Sequence, residues 1–585
     1  MPYKTLLETL RKNRGSVTPV VKDYLAAGAE ALRKEHLSGL GGSAVCGAYT
    51  GLVDNLLKAL FTFKREDLGC NDPVALVALG GYGRGELNFR SDIDLTLLHK
   101  RKITGAIEDL TQQMLYVLWD TGLDLGFSIR TVAECVALAK DDHKTMTALL
   151  DMRYLFGDEG LYEELSASVR KKLFGRKPAA AFIAEKIEES RHRHERYGGS
   201  VYILEPNVKE GEGGLRDFHT ARWVIRAGNG KGPGGHKGLI SARELEEVHA
   251  SLDFLLWVRN ELHCRAGRKN DQLTFDHQEK IAKLLGFTNT ESSLAVEAFM
   301  QKYYLHASNI NRHSNLVLSR VKHKNEEKAF SWPKKRVRID RNYSIAGGAL
   351  SVRGEEAFDE PAAVMRAFEY AGAFDVEIDQ AAKDLILGYP GAGGERRAEE
   401  FRNSQEVAAS FIKMLKGDRV YKTLDRMHRL KLLDKYIPEF AEISCRVQHD
   451  LYHVYTVDAH TIFAVRELER LRGQYKGDFS LLSTIFEELP NPEIILLAVL
   501  FHDIGKARGK GHAEKGASII PGICARMHMS EDDANLIKFL VRNHLLLADT
   551  AQYRDMHDEK LVIEFARKVG DIERLNLLYL LTFAD

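Results

Sequence analysis

Two apolar runs, VALVAL at 74–79 and IDLTLL at 93–98, bracket the stretch GGYGRGELNFRSD, and no other feature restricts the fold of this chain as tightly. Runs so short, the first closed by Gly80 and Gly81, read as buried strands rather than helices. Asp92 and Asp94 stand two residues apart, so on a strand their carboxylates share one face. Converging carboxylate oxygens are what a hard cation such as Mg2+ requires, and such ions neutralise the triphosphate of a nucleotide. The turn Gly80, Gly81, Tyr82 and Gly83 lets backbone N–H groups approach phosphates with no Cβ in the way. Arg84 is placed to reach a phosphate oxygen, and Ser91 can donate a further hydrogen bond. A bare glycine pair or a lone Asp-x-Asp would more simply be a hairpin with solvated acids. The joint strand–turn–strand pattern is far more specific.

At 585 residues the chain is too long for one hydrophobic core, so several domains are expected. Lys and Arg total 83, as do Asp and Glu, so no global charge pulls it toward nucleic acid or a membrane surface. Its six cysteines are scattered without a CxxC pair, which argues for a reducing compartment and against a cysteine zinc site. No stretch approaches the roughly 20 apolar residues of a membrane span. The amphipathic start, MPYKTLLETLRKNRG, is not a signal peptide. A soluble cytoplasmic protein is expected.

Residues 1 to about 70 read as helices, and LDLGFSIRT at 123–131 alternates as a third strand. From 141 to 320 helical patterns dominate, broken by a glycine-rich loop at 227–238 that lacks the spacing of a phosphate-binding P-loop. The charged segment 322–342 reads as a solvated interdomain linker. Beyond it, YSIAGGALSV suggests short strands, a second loop follows at 389–398, and the chain is helical again from 448.

The phrase GGYGRGEL, a spacer, then SDIDL running into an apolar strand resembles the nucleotidyltransferase superfamily, which has the polymerase-beta-like fold. The resemblance implies Mg2+ held by Asp92 and Asp94, with a third carboxylate on a neighbouring strand. Asp124 is the only acid in LDLGFSIRT and is the candidate.

A second signal is NPEIILLAVLFHDIGKARGKGH at 491–512. Asn491 can cap a helix, Pro492 suits its first position and Gly505 can end it. His502 and Asp503 then close an almost wholly apolar helix, where an ionisable pair is costly unless it coordinates something. His460 opens an amphipathic helix, VRNHLLL supplies His544, and Asp585 ends LLYLLTFAD. Such a set resembles the HD metal-dependent phosphohydrolase superfamily. The resemblance implies His460, His502, Asp503 and Asp585 as metal ligands. Lys506, His512 and His544 could bind the substrate phosphate, protonate the leaving group or hold a second metal. Imidazole and carboxylate donors suit Mn2+, Fe2+, Zn2+ or Mg2+ alike. His449 and His453 read as structural or surface histidines.

Both domains in this order, together with LEPNVKEGEGGLRDFHTARW (204–223), QLTFDHQEKIA (272–282), VEAFMQKYYLHA (296–307) and QHDLYHVYTVDAHT (448–461), are similar to the bifunctional uridylyltransferase/uridylyl-removing enzymes that modify the nitrogen-signalling protein PII. The family implies an α+β multidomain chain: an N-terminal helical region at 1–70, a nucleotidyltransferase domain at 71–175, a helical associated domain at 176–321, a linker at 322–345, a connecting domain at 346–447 and an HD domain at 448–585. It implies UTP as substrate, PII as partner, transfer of UMP to a tyrosine hydroxyl, and hydrolytic removal at the HD site. Glu205, Asn207, Lys209 and Arg216 could reach the nucleotide site or form a charged helix entrance. Family members continue into two ACT domains that sense glutamine; this chain ends at Asp585, so a fragment without glutamine control is expected. Two rival readings are a tRNA CCA-adding nucleotidyltransferase with an HD domain and a nucleotide-binding scaffold without turnover. The zero net charge opposes the first, and a scaffold has no need of both residue sets.

Overall fold

The computed structural model describes the chain except for residues 1, 230–239, 241, 291–293, 330–335, 391–393, 447–454, 474, 476 and 554–558. Most of the first glycine-rich loop, the centre of the 322–342 segment, His449 and His453 lie outside the described residues. Two compact units form an α+β architecture: Met1–Val201 with Glu205–Ile281 and Tyr303–Phe330, and Tyr202–Leu204 with Ala282–Lys302 and Ser331–Asp585.

In the first unit the two apolar runs become β1 (Val74–Ala78) and β2 (Ile93–His99). With β3 (Leu125–Arg130) and β4 (Arg153–Gly157) they form a sheet in the order β3-β2-β1-β4. β1 pairs antiparallel with β2 and β4, whereas β2 and β3 run parallel. Helices cover both faces of β1. Leu76 and Ala78 pack with Leu6, Leu10, Leu57 and Leu60, while Ala75 and Val77 pack with Val136, Leu165 and Val224 on the opposite side. That double burial is why VALVA is continuously apolar rather than alternating. The helices Tyr3–Lys12 and Gly42–Leu68 therefore share the sheet's core. Sequence reasoning did not find β4: RYLFG is short, lies among helical patterns, and is held by a pairing whose register shifts between Leu76 and Val77.

The second unit is mostly helical. Its sheet runs β5 (Arg336–Arg338), β6 (Tyr343–Ala346), β7 (Ala349–Val352) and β8 (Glu377–Ile378), in that order. Ala346 pairs with Ala349, leaving Gly347 and Gly348 as a two-residue turn with φ of 60° and 78°, the left-handed geometry such turns demand. The segment 322–345 is thus not irregular throughout. Helix Ala295–Ala329 runs into it, and β5 and the start of β6 occupy its end. The exposed Arg336 and Arg338 suit an edge strand as well as they suit a linker.

Helix Pro492–Phe501 lies at the centre of this unit, buried from Glu493 through Phe501. Around it pack helices Val457–Leu471, Glu531–Asn543 and Ile572–Ala584. Pro492 takes the first helical position, but Asn491 makes no side-chain cap. Gly505 has a different use from the one its sequence position suggests: the helix has already ended. A Cβ there would lie 2.1 Å from the His512 carbonyl and 2.5 Å from the Gly516 nitrogen, so glycine lets helix His512–Arg526 press against the turn Ile504–Arg508. Among the described residues no helix is long and apolar enough to cross a membrane.

Candidate functional sites

In the first unit, strand register sets Asp94 opposite Gly126 of β3. The Asp94 carboxylate lies between two glycines. A Cβ at Gly126 would stand 2.5 Å from its Oδ1, and one at Gly80, where φ is 53°, would stand 2.8 Å from its Oδ2. Asp92 accepts from Lys269 Nζ at 2.6 Å through Oδ2, while its Oδ1 and the Ser91 hydroxyl are buried without hydrogen-bond partners. Asp124 directly precedes β3. Its carbonyl accepts from the Ile93 N–H at 2.9 Å, and its carboxyl lies beside that of Asp92. Three acids therefore gather at one end of β2 and β3.

Burial raises the pKa of Asp94, and the charge of Asp92 raises it further. Burial acts the same way on Asp92, but the hydrogen bond and charge of Lys269 outweigh it and hold that carboxylate below its usual range. Crowded carboxylates with an unpartnered inward oxygen and one ammonium for countercharge fit a divalent cation.

Asp92 and Asp94 open on a cleft of about 360 Å³ that Lys209 and Arg216 also line. Lys209 is 24% exposed and its paired acid, Glu210, is 3.8 Å away. Burial, with the neighbouring Arg259 and Arg216, lowers its pKa to about 8. An ammonium so placed favours an anion. Glu205 and Asn207 do not reach the cleft. Glu205 accepts from the Phe275 N–H at 2.8 Å, and Asn207 accepts from the N–H groups of Lys209 and Glu210 at 3.2 and 2.8 Å, which shapes the loop that carries Lys209.

Of the expected turn residues, Gly80 and Gly81 line the cleft with Ser91, Asp92 and Asp94. Tyr82 points into the core, fully buried, with its hydroxyl donating to Asp54 at 2.6 Å. Gly83 serves close packing, since a Cβ there would lie 2.1 Å from the Asp151 carbonyl oxygen. Arg84 borders the cleft, but its Nε and Nη1 donate to Glu86 and Asp151 at 2.7 Å each. Those two acids also bind His219, Trp223 and Arg226 of helix Leu215–Asn229. Arg84 thus fastens the glycine turn to that helix. Sequence reasoning missed Gly126 and Lys269; neither belongs to a local motif, and only strand register and chain topology bring them to the acids.

In the second unit, His502 and Asp503 emerge buried from the end of helix Pro492–Phe501. Asp503 is the hub. Its Oδ2 faces the Nε2 atoms of His502 and His460 at 3.2 and 3.9 Å, and its Oδ1 faces those of His512 and His544 at 3.6 and 3.9 Å. Asp585 Oδ1 lies 2.8 Å from His460 Nε2 and 3.4 Å from His502 Nε2. The Nδ1 atoms of His502 and His544 donate to the carbonyls of Val499 and Val541 at 2.7 and 2.8 Å, so each ring turns Nε2 toward Asp503. Two donor sets result, His460–His502–Asp503 and Asp503–His512–His544, each compact enough to surround one ion. Lys506 Nζ stands 2.7 Å from Asp503 Oδ2. Burial lowers the pKa of His502, but the charges of Asp503 and Asp585 overcome it and pull it up to about 10. Burial and the charge of His502 push His544 down to about 4. The cluster thus accommodates positive charge at its Asp585 end and neutral nitrogen donors at the other, which fits divalent cations. All seven residues anticipated for this site come together.

Residues 181–318 match the family model of the GlnD PII-uridylyltransferase, and residues 457–575 match that of the HD domain. The first matched segment supplies Lys209, Arg216 and Lys269 to the paired-aspartate cleft. The chain is 35% identical over 582 residues to a protein of Nitrosococcus oceani named bifunctional uridylyltransferase/uridylyl-removing enzyme, covering 97% of this chain and 63% of that one. It is 33% identical over 605 residues to a protein of the same name from Erythrobacter litoralis, covering 98% and 64%. A third, from Azotobacter vinelandii, is 37% identical over 544 residues, covering 91% and 59%. The chain therefore spans somewhat under two thirds of the length of these relatives.

Proposed function

We propose that this chain, which matches the GlnD PII-uridylyltransferase and HD domain models and is similar along almost its whole length to bifunctional uridylyltransferase/uridylyl-removing enzymes, transfers UMP from UTP to a tyrosine of PII in its first unit and hydrolyses that product in its second. One observation carries the reading. A paired-aspartate cleft facing a weakly countered lysine and a histidine–aspartate cluster centred on Asp503 occur in separate units of one chain. The cytoplasm, where UTP and PII meet, is the proposed location.

Asp92 and Asp94, with Asp124 beside them, would hold Mg2+. His460, His502, Asp503 and Asp585 would hold one ion of Mn2+, Fe2+, Zn2+ or Mg2+, and Asp503 with His512 and His544 a second. A bound divalent cation supplies Lewis acidity and charge neutralisation at either site.

In the first cleft, the backbone at Gly80 and Gly81 and the unpartnered Ser91 hydroxyl bind the triphosphate, and Lys209 neutralises it. Lys269 turns from Asp92 to a phosphate oxygen as the nucleotide enters. The Asp124 carboxylate takes the proton of the tyrosine hydroxyl while its oxygen bonds to the α-phosphorus and pyrophosphate departs. In the second site, Lys506 binds the phosphodiester. Water adds to phosphorus, and its proton ends on the departing tyrosine oxygen.

The test is separation of function. Asp92→Ala with Asp94→Ala abolishes UMP transfer but leaves removal of UMP from pre-labelled PII, and His502→Ala with Asp503→Ala does the reverse. Loss of both reactions in either double variant, with folding intact, would overturn the two-site assignment.

A further inference from the structure

A second concavity, of about 560 Å³, opens in the first unit and is lined by Arg265, Arg268, Asn270, Thr274, His277 and Lys280. Its charge is one-sided. The one acid in its lining, Asp276, is paired with Lys280 at 2.7 Å, and Arg265 leans back on Glu261 at 2.6 Å. Arg268 is exposed and makes no ion pair among the described residues.

The position of this concavity gives it meaning. The loop between helices Ala242–Ala266 and Phe275–Leu284 forms a partition, and its side chains alternate across it. Arg268 and Asn270 line the second concavity, whereas Lys269 between them lines the nucleotide cleft and reaches Asp92 at 2.6 Å. One thickness of backbone separates the two recesses. A polypeptide seated in the outer one therefore lies on the far side of the loop that carries Lys269.

We propose that this concavity is the docking groove for the protein acceptor, taking a carboxylate-bearing segment next to the target tyrosine so that the hydroxyl crosses the partition at Lys269. The assignment rests on the reading that the first unit transfers UMP to a protein. Guanidinium groups bind carboxylates through paired hydrogen bonds, and such charges steer association. Nucleic acid fits less well: the basic lining is confined to a few residues, no Phe, Tyr or Trp offers a stacking face, and the chain has no net charge.

The experiment uses the full chain with PII as probe. It reads direct binding by anisotropy of labelled PII and UMP transfer by initial rates, in the parent, in Arg268→Glu with Lys280→Glu, and in Arg268→Lys. The charge-reversed variant is expected to weaken PII binding and raise the KM for PII at least about tenfold, with the KM for UTP within about twofold of the parent as proof of an intact fold. Arg268→Lys retains most of the affinity. Parent-like PII binding and KM in the reversed variant overturn the groove and leave the transferase reading standing. A parent that neither binds nor labels PII overturns that reading and this assignment with it. Binding of a single-stranded RNA that the reversal abolishes, with PII binding unchanged, reassigns the groove to nucleic acid.

Discussion

Gly126→Ala separates geometry from charge at the paired-aspartate cleft. Gly126 is exposed on β3, the edge strand of its sheet, so a methyl group there costs the fold little. Lower entropy of the unfolded chain would even stabilise by about 0.4–1 kcal/mol if the local backbone accepts alanine. The catalytic geometry is another matter. The new Cβ would stand 2.5 Å from Asp94 Oδ1, and the carboxylate must retreat by about 0.9 Å to reach ordinary contact at 3.4 Å. Gly80 flanks the other carboxylate oxygen, Oδ2. Displacement of a reacting group by about 1 Å costs on the order of 100-fold in rate, or roughly 2.7 kcal/mol. The assay is kcat for UMP transfer at saturating UTP and PII, beside the rate of UMP removal and the thermal midpoint. Transfer falls about 100-fold while the other two hold. A transfer kcat within about threefold of the parent refutes the steric argument, and an equal loss of both reactions would point to misfolding instead.

Lys209→Met raises the KM for UTP about 10- to 100-fold, the loss of one charged hydrogen-bonding partner of phosphate. Because the lysine pKa falls from 10.5 to about 8, its charge is present below that pH and lost above it. The KM for UTP of the parent therefore climbs between about pH 7.5 and 9, and that of the variant stays flat. In the second unit, buried His428 faces Asp458 at 3.2 Å and Asp434 at 3.8 Å. Burial lowers its pKa, but those acids overcome it and raise it from 6.5 to about 9. Its contribution, on the order of 3 kcal/mol, is complete below pH 6.5 and lost as pH rises through 9. Hydrogen exchange along helix Val420–Arg429 should thus speed up over that window in the parent, and His428→Gln should be fast and nearly pH-independent by comparison. Metal analysis gives a further check: His544→Ala loses about half of the metal held by the second unit, and Asp503→Ala loses nearly all of it, because Asp503 belongs to both donor sets.

The parts of both sites that sequence made legible are those set by local spacing. Asp92 and Asp94 share a face because a strand repeats every two residues. His502 and Asp503 stand out because an ionisable pair follows a helix that is almost wholly apolar. The residues that escaped notice act across the chain. Gly126 matters only because β2 and β3 pair in the register that sets it beside Asp94, and Lys269 reaches Asp92 from 177 residues away. Arg84 and Tyr82 show the converse limit. Their place in a glycine-rich turn suggests phosphate contact, yet Glu86 and Asp151 occupy the arginine and Asp54 turns the tyrosine inward. A parallel between the sites was also invisible in sequence: each holds a lysine against its central aspartate, Lys269 at 2.6 Å from Asp92 and Lys506 at 2.7 Å from Asp503. Mixed burial explains the missed strand, because RYLFG gives neither the alternation of a half-buried strand nor the continuous apolar run of a central one.

The most direct measurement is a time course of the intact mass of PII incubated with this chain, a limited supply of UTP and Mg2+. The account expects each PII chain to gain one UMP and, once UTP is exhausted, to return to its starting mass. With Asp503→Ala the label should persist, and with Asp92→Ala and Asp94→Ala it should never appear. A mass that does not change while UTP binds, or a label that disappears equally fast without the Asp503 carboxylate, would contradict it.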